Sequence, residues 1–259
     1  MCFTVALVRN NELITAERYY NELPIKGIKP DSEVSLFRSD GFTSSETLTN
    51  DFPQYYFVSG FSHPHLPIVK EDGIFLYEWG LIPWWIKDAE AAGDIRSKTL
   101  NAVGETVFEK PSFRKCIVSQ RCLLGVSAFY EWREVNGAKY PYLIHATEND
   151  IFSLAAIYDT WTDRHTGEIR NTFSILTTPA NPLMEKIHNL KKRMPLILSP
   201  LDEMKWIDPT LKTEQITELI KPYDEKDMSA YTISRAANNA RNNRNVKEIM
   251  ERVEESSEF

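Results

Sequence analysis

Cys2 is the residue of this chain whose type and position most directly suggest covalent chemistry. Removal of Met1 would leave an α-amine and a thiol on adjacent carbons of the new first residue. Such an amine has a pKa of about 8, so a useful fraction is neutral at pH 7. An aldehyde would form a Schiff base with the amine, and the thiol would then close a five-membered thiazolidine ring. Neither an internal cysteine nor a lysine can close that ring.

Three further polar residues could assist a reaction on a carbonyl, and each has a simpler interpretation as well. Asn101 is either a turn residue or an amide that holds a substrate. Glu131, in an aromatic strand segment, either faces solvent by alternation or is buried with a raised pKa that suits general acid–base catalysis. His188, near the end of a short predicted helix, is either a surface residue at the helix terminus or a proton shuttle.

Aromatic and basic residues provide candidate contacts for a nucleic acid. Trp84 and Trp85 are adjacent, so they cannot both point into the core from a simple strand, and at least one could stack on an unpaired base. Half-buried packing is the alternative interpretation. Arg193 and Arg235 lie in basic stretches that could contact phosphate, although Arg235 could also simply mark the end of a strand.

The composition limits the classes of protein to which this chain could belong. It has 259 residues and a net charge of -7, so any contact with DNA must come from a local groove and not from an overall basic surface. Three cysteines without regular spacing indicate no disulfide framework, and we expect a cytoplasmic protein, nucleoid-associated when on DNA, without a membrane span. His63 and His65 suggest no third ligand, so we predict neither a metal nor a cofactor. The sequence also suggests no obligate protein partner.

The elements that must position these residues are mostly strands. The Asn136-Gly137 dipeptide predicts a β-hairpin, and Asn181-Pro182 and Asp208-Pro209 predict two helix starts. The predicted strands cover residues 3–8, 55–59, 73–80, 116–132, 140–146, 151–158 and 172–177. The predicted helices cover residues 16–22, 183–190 and 211–220, with irregular segments at 28–52 and 62–67. Strands that follow strands indicate an α+β fold with a mainly antiparallel sheet.

The order of the motifs resembles that of the SOS response-associated peptidase family, over nearly the whole chain and most firmly over residues 78–200. In chain order the motifs are M-C at the start, W-G…P-W-W, L-N-A…E-T, R-C-L…F-Y-E-W, H…R-M-P…I-L and S-R-A…N. The resemblance implies one α+β domain over residues 1–259, with a mainly antiparallel, barrel-like β core, flanking short helices and a positively charged groove.

The resemblance also implies a function in DNA repair. Members of the family crosslink abasic sites in single-stranded DNA through the N-terminal cysteine after the first Met is removed, which combines peptidase and lyase-like activities. In this chain Cys2 would be the nucleophile. Asn101 would position the amine and the sugar, Glu131 would shuttle protons, and His188 would assist opening of the sugar. Trp84, Trp85, Arg193 and Arg235 would line the DNA groove.

The chain departs from the family pattern where the family has basic residues. Phe3 and Thr4 follow Cys2 where the family start is usually M-C-G-R, and Val103 replaces the Arg of the family's N-A-R. The family's R-Y-N-x-A-P segment is replaced by residues 56–61. These departures leave open two alternatives to the crosslinking enzyme. One is a cysteine or N-terminal-nucleophile peptidase that pairs Cys2 with His188, and the other is a non-catalytic module that binds single-stranded or modified DNA.

Overall fold

A computed structural model of the protein describes residues 2–7, 36–37, 43–44, 55–148 and 151–253. The strands in these ranges are β1 (Thr4–Leu7), β2 (Leu36–Phe37), β3 (Thr43–Ser44), β4 (Tyr55–Ser59), β5 (His65–Lys70), β6 (Gly73–Trp79), β7 (Asn101–Val103), β8 (Arg121–Val126), β9 (Ala128–Val135), β10 (Ala138–Ala146), β11 (Phe152–Thr162), β12 (Ile169–Pro179), β13 (Arg193–Pro195), β14 (Ile197–Leu198) and β15 (Met228–Thr232).

The helices in the same ranges are short. They are α1 (Ala89–Arg96), α2 (Cys116–Ser119), α3 (Pro182–Ile187), α4 (Pro200–Ile207) and α5 (Thr213–Leu219), with 3-10 turns at Gly60–Ser62, Gly104–Thr106, Glu225–Asp227, Arg235–Asn238 and Lys247–Met250. The helix predicted over residues 16–22 and most of the loop predicted over 28–52 lie outside the described residues. No helix in the described ranges is both long enough and apolar enough to cross a membrane.

Five strands close into a barrel. The order is β12, β6, β5, β8 and β11, and β11 pairs with β12 to complete the ring. Neighbours in the ring are antiparallel except for β12 and β6, which are parallel. The predicted α+β class with a mainly antiparallel, barrel-like core is therefore confirmed.

A second sheet, ordered β15, β10, β9, β1 and β4, carries the N-terminal strand. The predicted hairpin joins β9 to β10, and Asn136 and Gly137 both have positive φ, 52° and 78°, as a type I′ turn requires. β1 pairs with β9 through Val5↔Phe129 and Ala6↔Ala128. This pairing brings the start of the chain beside the strand that carries Glu131.

The strand predicted over residues 116–132 is wrong in two respects. Residues 116–119 form α2, and the buried Arg121 side chain donates hydrogen bonds to the carbonyls of Ile117 and Val118 there. The rest divides into β8, in the barrel, and β9, in the second sheet. The chain crosses between the two sheets at Ser127, whose backbone N–H donates to the Ala6 carbonyl at 3.0 Å.

Two proline-based predictions also need correction. The segment predicted to be irregular over 62–67 ends in β5. This strand pairs with β6 along its length but with β8 only at Val69, so Pro67 lies where β5 has a strand neighbour on one side, which is a position that tolerates proline. Asp208-Pro209 does not start a helix. Asp208 follows the last turn of α4, and its carboxylate accepts hydrogen bonds from the Thr210 N–H and hydroxyl, so α5 begins only at Thr213.

Two glycine substitutions provide a matched test of these backbone assignments. We expect Gly137→Ala to lower the free energy of unfolding by roughly 1–2 kcal/mol, because alanine disfavours a φ of 78°. We expect Gly93→Ala, in α1, to raise it by roughly 0.5–1 kcal/mol through helix propensity. An added Cβ meets nothing within 4 Å at either site, so sterics do not confuse the comparison. Urea unfolding of both variants would measure it, and equal effects would contradict the turn assignment.

Candidate active site

Glu131 is buried, so its alternative interpretation as a solvent-facing strand residue is wrong. It shares a face of β9 with Phe129, which packs in the core that contains Cys2, whereas Ala128 and Tyr130 pack in a different cluster. Its exposed fraction is 4%. Burial raises the pKa of Glu131 to about 7, against the opposing effect of the positive charge at the amino terminus. A carboxyl group of this kind can give or take a proton near neutral pH.

His188 lies opposite this carboxyl group. It follows the last residue of α3, which starts as predicted with Asn181 as its N-cap but ends at Ile187. The His188 Nδ1 atom lies 2.8 Å from the Arg193 carbonyl, which can only accept, so Nδ1 carries the proton. Nε2 then lies 3.8 Å from Oε2 of Glu131. Burial lowers the pKa of His188, which favours the neutral imidazole.

Cys2 is fully buried in the same core. Its thiol lies 3.8 Å from the Thr4 carbonyl, to which it donates a weak hydrogen bond. Burial raises the pKa of the Cys2 thiol well above its usual range, and the nearby charge of Glu131 raises it further. The thiol is therefore protonated at neutral pH, and it is close enough to Glu131 to respond to its charge.

Asn101 has an unusual hydrogen-bonding state for a buried amide. It pairs in register with Ile175 of β12, which belongs to the core that contains Cys2, whereas Ala102 packs in a second core. Alternation along the strand therefore directs Asn101 to the Cys2 side. Its exposed fraction is 7%, and neither Nδ2 nor Oδ1 has a hydrogen-bond partner in the described part of the chain. A buried amide without a hydrogen-bond partner costs about 1–3 kcal/mol, so the two polar atoms of Asn101 would gain from contact with a ligand or a water molecule.

A cavity of about 390 Å³ opens beside Glu131 and His188, whereas Cys2 and Asn101 are not on its wall. Glu131 and His188 are on its wall with Phe3, the neighbour of Cys2. The other wall residues are Trp132, Glu134, Lys139, Leu190, Lys191, Ala237, Asn238 and Arg244. Three cations, Lys139, Lys191 and Arg244, therefore share the cavity wall with Glu131 and His188, and the sequence reasoning did not single them out as a set. Only Lys191 lies in the basic run next to Arg193, and Arg244 lies in the Asn-rich stretch after Arg235.

The four residues predicted to contact DNA are not among those that line this cavity. Trp84 and Trp85 are half exposed, and the Lys115 ammonium lies 5.0 Å above the Trp84 ring. The Arg193 guanidinium is paired with both carboxylate oxygens of Glu105. The exposed Arg235 lies over the Tyr140 ring at 5.4 Å. Any contact between these four residues and DNA is thus made outside the cavity.

Of the two residues His63 and His65, His63 makes hydrogen-bond contacts within the fold. His63 Nδ1 lies 2.8 Å from the Trp79 carbonyl, and Nε2 lies 3.2 Å from the Ser97 hydroxyl. Across the described residues, no group of three His, Cys, Asp or Glu side chains is placed to hold a metal ion.

Comparison with known proteins identifies the family to which the chain belongs. Residues 1–240 match the family model described as SOS response associated peptidase (SRAP). The chain belongs to the SRAP family. The resemblance inferred from the ordered motifs is therefore confirmed.

Relatives and solved structures of the SRAP family agree with this assignment. The abasic site processing protein YoqW of Bacillus subtilis is 40% identical over 167 residues, which are 64% of this chain and 71% of YoqW. The chicken abasic site processing protein HMCES is 28% identical over 185 residues, and the match covers 63% of this chain and 53% of HMCES. A crystal structure of a protein from Bacteroides thetaiotaomicron is 36% identical, with a TM-score of 0.83, and covers 97% of this chain and 100% of its own.

The unpartnered amide of Asn101 predicts a substitution that leaves the SRAP fold stable. We expect Asn101→Leu to keep or raise the free energy of unfolding, by up to roughly 1 kcal/mol, because no hydrogen bond among the described residues is lost. Asn181→Leu is the control, since this equally buried amide accepts from Met184 N–H at 2.9 Å and donates to the Tyr223 carbonyl at 2.8 Å. It should cost roughly 2–3 kcal/mol. Equal losses in urea unfolding would show that Asn101 is structural.

The raised pKa of Glu131 predicts how stability depends on pH. Folding takes up a proton between the ordinary pKa near 4.5 and the folded value of about 7, so the free energy of unfolding falls as pH rises through this window. Glu131→Gln removes this contribution. Between pH 4.5 and 8, the wild type should therefore lose up to about 3 kcal/mol of unfolding free energy relative to Glu131→Gln. Parallel pH profiles from denaturant titrations would contradict the assignment.

Proposed function

We propose that this protein captures abasic sites in single-stranded DNA as a covalent thiazolidine adduct of Cys2, after removal of Met1. The observation that carries the proposal is the buried Asn101 amide, which has no hydrogen-bond partner among the described residues and faces the core that contains Cys2. The Glu131–His188 pair beside the cavity adds the acid and base that the reaction needs. The names of the curated relatives, which are abasic site processing proteins, support the same substrate.

The reaction begins at the amine. The neutral α-amine of Cys2 adds to the aldehyde of the ring-opened sugar, and loss of one water gives the imine. Protonated Glu131 donates to the departing hydroxyl group, and neutral His188 accepts the proton released from the amine. The Asn101 amide holds both reactants in position. Its Nδ2 donates a hydrogen bond to the sugar oxygen, and its Oδ1 accepts one from the amine. Asn101 and Glu131 thereby have the roles that the family resemblance implies, whereas His188 acts on the amine and not on the opening of the sugar.

Ring closure then uses the thiol. The thiol sulfur adds to the imine carbon, and the thiol proton passes to the imine nitrogen, so the thiazolidine and one water are the only products. The protonated state of the buried thiol supports this order, since the amine is the better nucleophile until the imine forms. Reversal of the ring and lyase-like release of the DNA belong to the same proposal.

Contacts with the DNA strand come from two groups of residues in this proposal. Lys139, Lys191 and Arg244 line the cavity and would contact phosphates next to the abasic sugar. Trp84 and Trp85 would stack on bases farther along the strand, and Arg193 and Arg235 would contact the more distant backbone. This local arrangement is compatible with a net charge of -7.

Two other functions would leave different traces. A peptidase that acts on peptides through Cys2 and His188 needs a thiolate, whereas burial keeps this thiol protonated, and its sulfur contacts the Thr4 carbonyl. We therefore propose no activity on peptides beyond the removal of Met1, which intact mass measures. A non-catalytic DNA-binding module would bind abasic DNA reversibly and in a salt-sensitive manner, without an adduct.

A denaturing gel tests the proposal directly. Wild-type protein mixed with an abasic single-stranded oligonucleotide should give a heat-stable adduct without any reductant. Cys2→Ala should give no such adduct, because its amine forms only a reversible imine that borohydride must trap. Cys116→Ala, which removes another buried thiol, should retain the adduct. Mass spectrometry should locate the DNA remnant on the peptide that begins at Cys2. A Cys2→Ala adduct as abundant as that of wild type without reductant would overturn the mechanism.

A further inference from the structure

Phe61 is a large aromatic side chain that the fold leaves in solvent beside the cavity. Its exposed fraction is 59%, and its ring centroid lies 4.9 Å from that of Phe3 at an interplanar angle of 40°. Phe3 itself is half-buried, packs against the core that contains Cys2 and is on the cavity wall. The two rings therefore form one aromatic surface that extends from the residue after the nucleophile to solvent.

The backbone around Phe61 is held in place. Gly60 donates a hydrogen bond to the Phe3 carbonyl at 2.8 Å, which ties the turn to the N-terminal strand. A Cβ at Gly60 would lie 3.0 Å from the Trp79 ring, so the turn approaches the core closely. His63 ends the turn at φ 49°, and its ring lies 2.8 Å from the Trp79 carbonyl. A turn fixed at both ends presents Phe61 outward in a defined position.

An exposed aromatic ring in a fixed position is available to stack on a ligand. Burying a phenylalanine fully contributes about 1.5–3 kcal/mol, and part of this remains to be gained at an exposed fraction of 59%. The neighbouring cavity wall carries Lys139, Lys191 and Arg244, whose charges complement phosphate. A single-stranded nucleic acid offers both phosphates and planar bases. Its bases stack on aromatic side chains irrespective of sequence. The surface thus combines stacking and charge in the way that a single strand requires.

We propose that the Phe3–Phe61 pair stacks on the nucleobase adjacent to the abasic sugar. This inference rests on the proposed function and extends it to the neighbouring nucleotide. The abasic nucleotide enters the cavity without a base, while the next nucleotide places its base on the aromatic pair. Phe61 is thus a positioning residue that sets where the strand lies. The protein consequently prefers an abasic site with a neighbouring base over an abasic site within a run of baseless sugars.

The test compares two oligonucleotides that share one reactive abasic site. In the first, adenines flank the site, and in the second, the flanking positions carry a stable baseless sugar analogue. The DNA concentration that gives half-maximal adduct rate should be about tenfold higher for the second with wild-type protein, as expected for one lost stack. Phe61→Ala should show the higher value with both oligonucleotides, while the maximal rate stays unchanged. Phe61→Tyr, which keeps the ring, should restore the discrimination.

The control is Leu201→Ala, which removes an exposed apolar side chain from α4 that is 82% accessible and is not on the cavity wall. It should behave as wild type. Wild-type discrimination in Phe61→Ala would overturn the inference, and so would a fall in maximal rate that Phe61→Tyr does not restore. A wild-type protein that forms no adduct with either oligonucleotide would instead refute the proposed function. The two failures are therefore distinct.

Discussion

The burial of a carboxyl group opposite an imidazole is the constraint on which this site depends. Away from water the charged forms of both Glu131 and His188 are disfavoured, so the pKa of the acid rises to about 7 and that of the base falls. Burial thereby weakens the tendency of the two groups to form an ion pair near neutral pH. Pairing of β9 with both β1 and β10 maintains this burial, and the same β1 pairing positions Cys2.

Local signals in the sequence predicted the parts of the fold that depend on neighbouring residues. Asn136-Gly137 predicts its hairpin because positive φ at both positions depends on these residue types, and Asn181 predicts α3 because its side chain caps the first turn. The chain crossing at Ser127 was missed, because apolar residues continue on both sides of it. Which sheet each half joins depends on partners that are distant in sequence.

The order of motifs identified Asn101, Glu131 and His188 as candidate site residues. It did not reveal their burial or their protonation. Alternation allowed Glu131 to face either solvent or core, and only the packing of Phe129 on the same face decides between them. Arg193 is a second residue whose contacts the sequence did not determine. Its sequence context predicts a contact with phosphate but does not reveal that Glu105, distant in sequence, pairs with its guanidinium. The cations on the cavity wall come from β10, from the segment after α3 and from the C-terminal region, a convergence that only the tertiary fold creates.

In the proposed reaction, the protonated state of the Cys2 thiol would make the chemistry selective. A thiolate at this position would react with many electrophiles and with oxidants, whereas a buried thiol reacts slowly with either. In the proposed reaction, an imine on the adjacent amine would change this, because the sulfur would then lie beside an electrophilic carbon and could close the ring without leaving the core. Only a carbonyl that the amine has already captured would engage the sulfur. Burial of the nucleophile, which lowers the intrinsic reactivity of the thiol, would thereby restrict the proposed adduct to aldehydes that reach the amine.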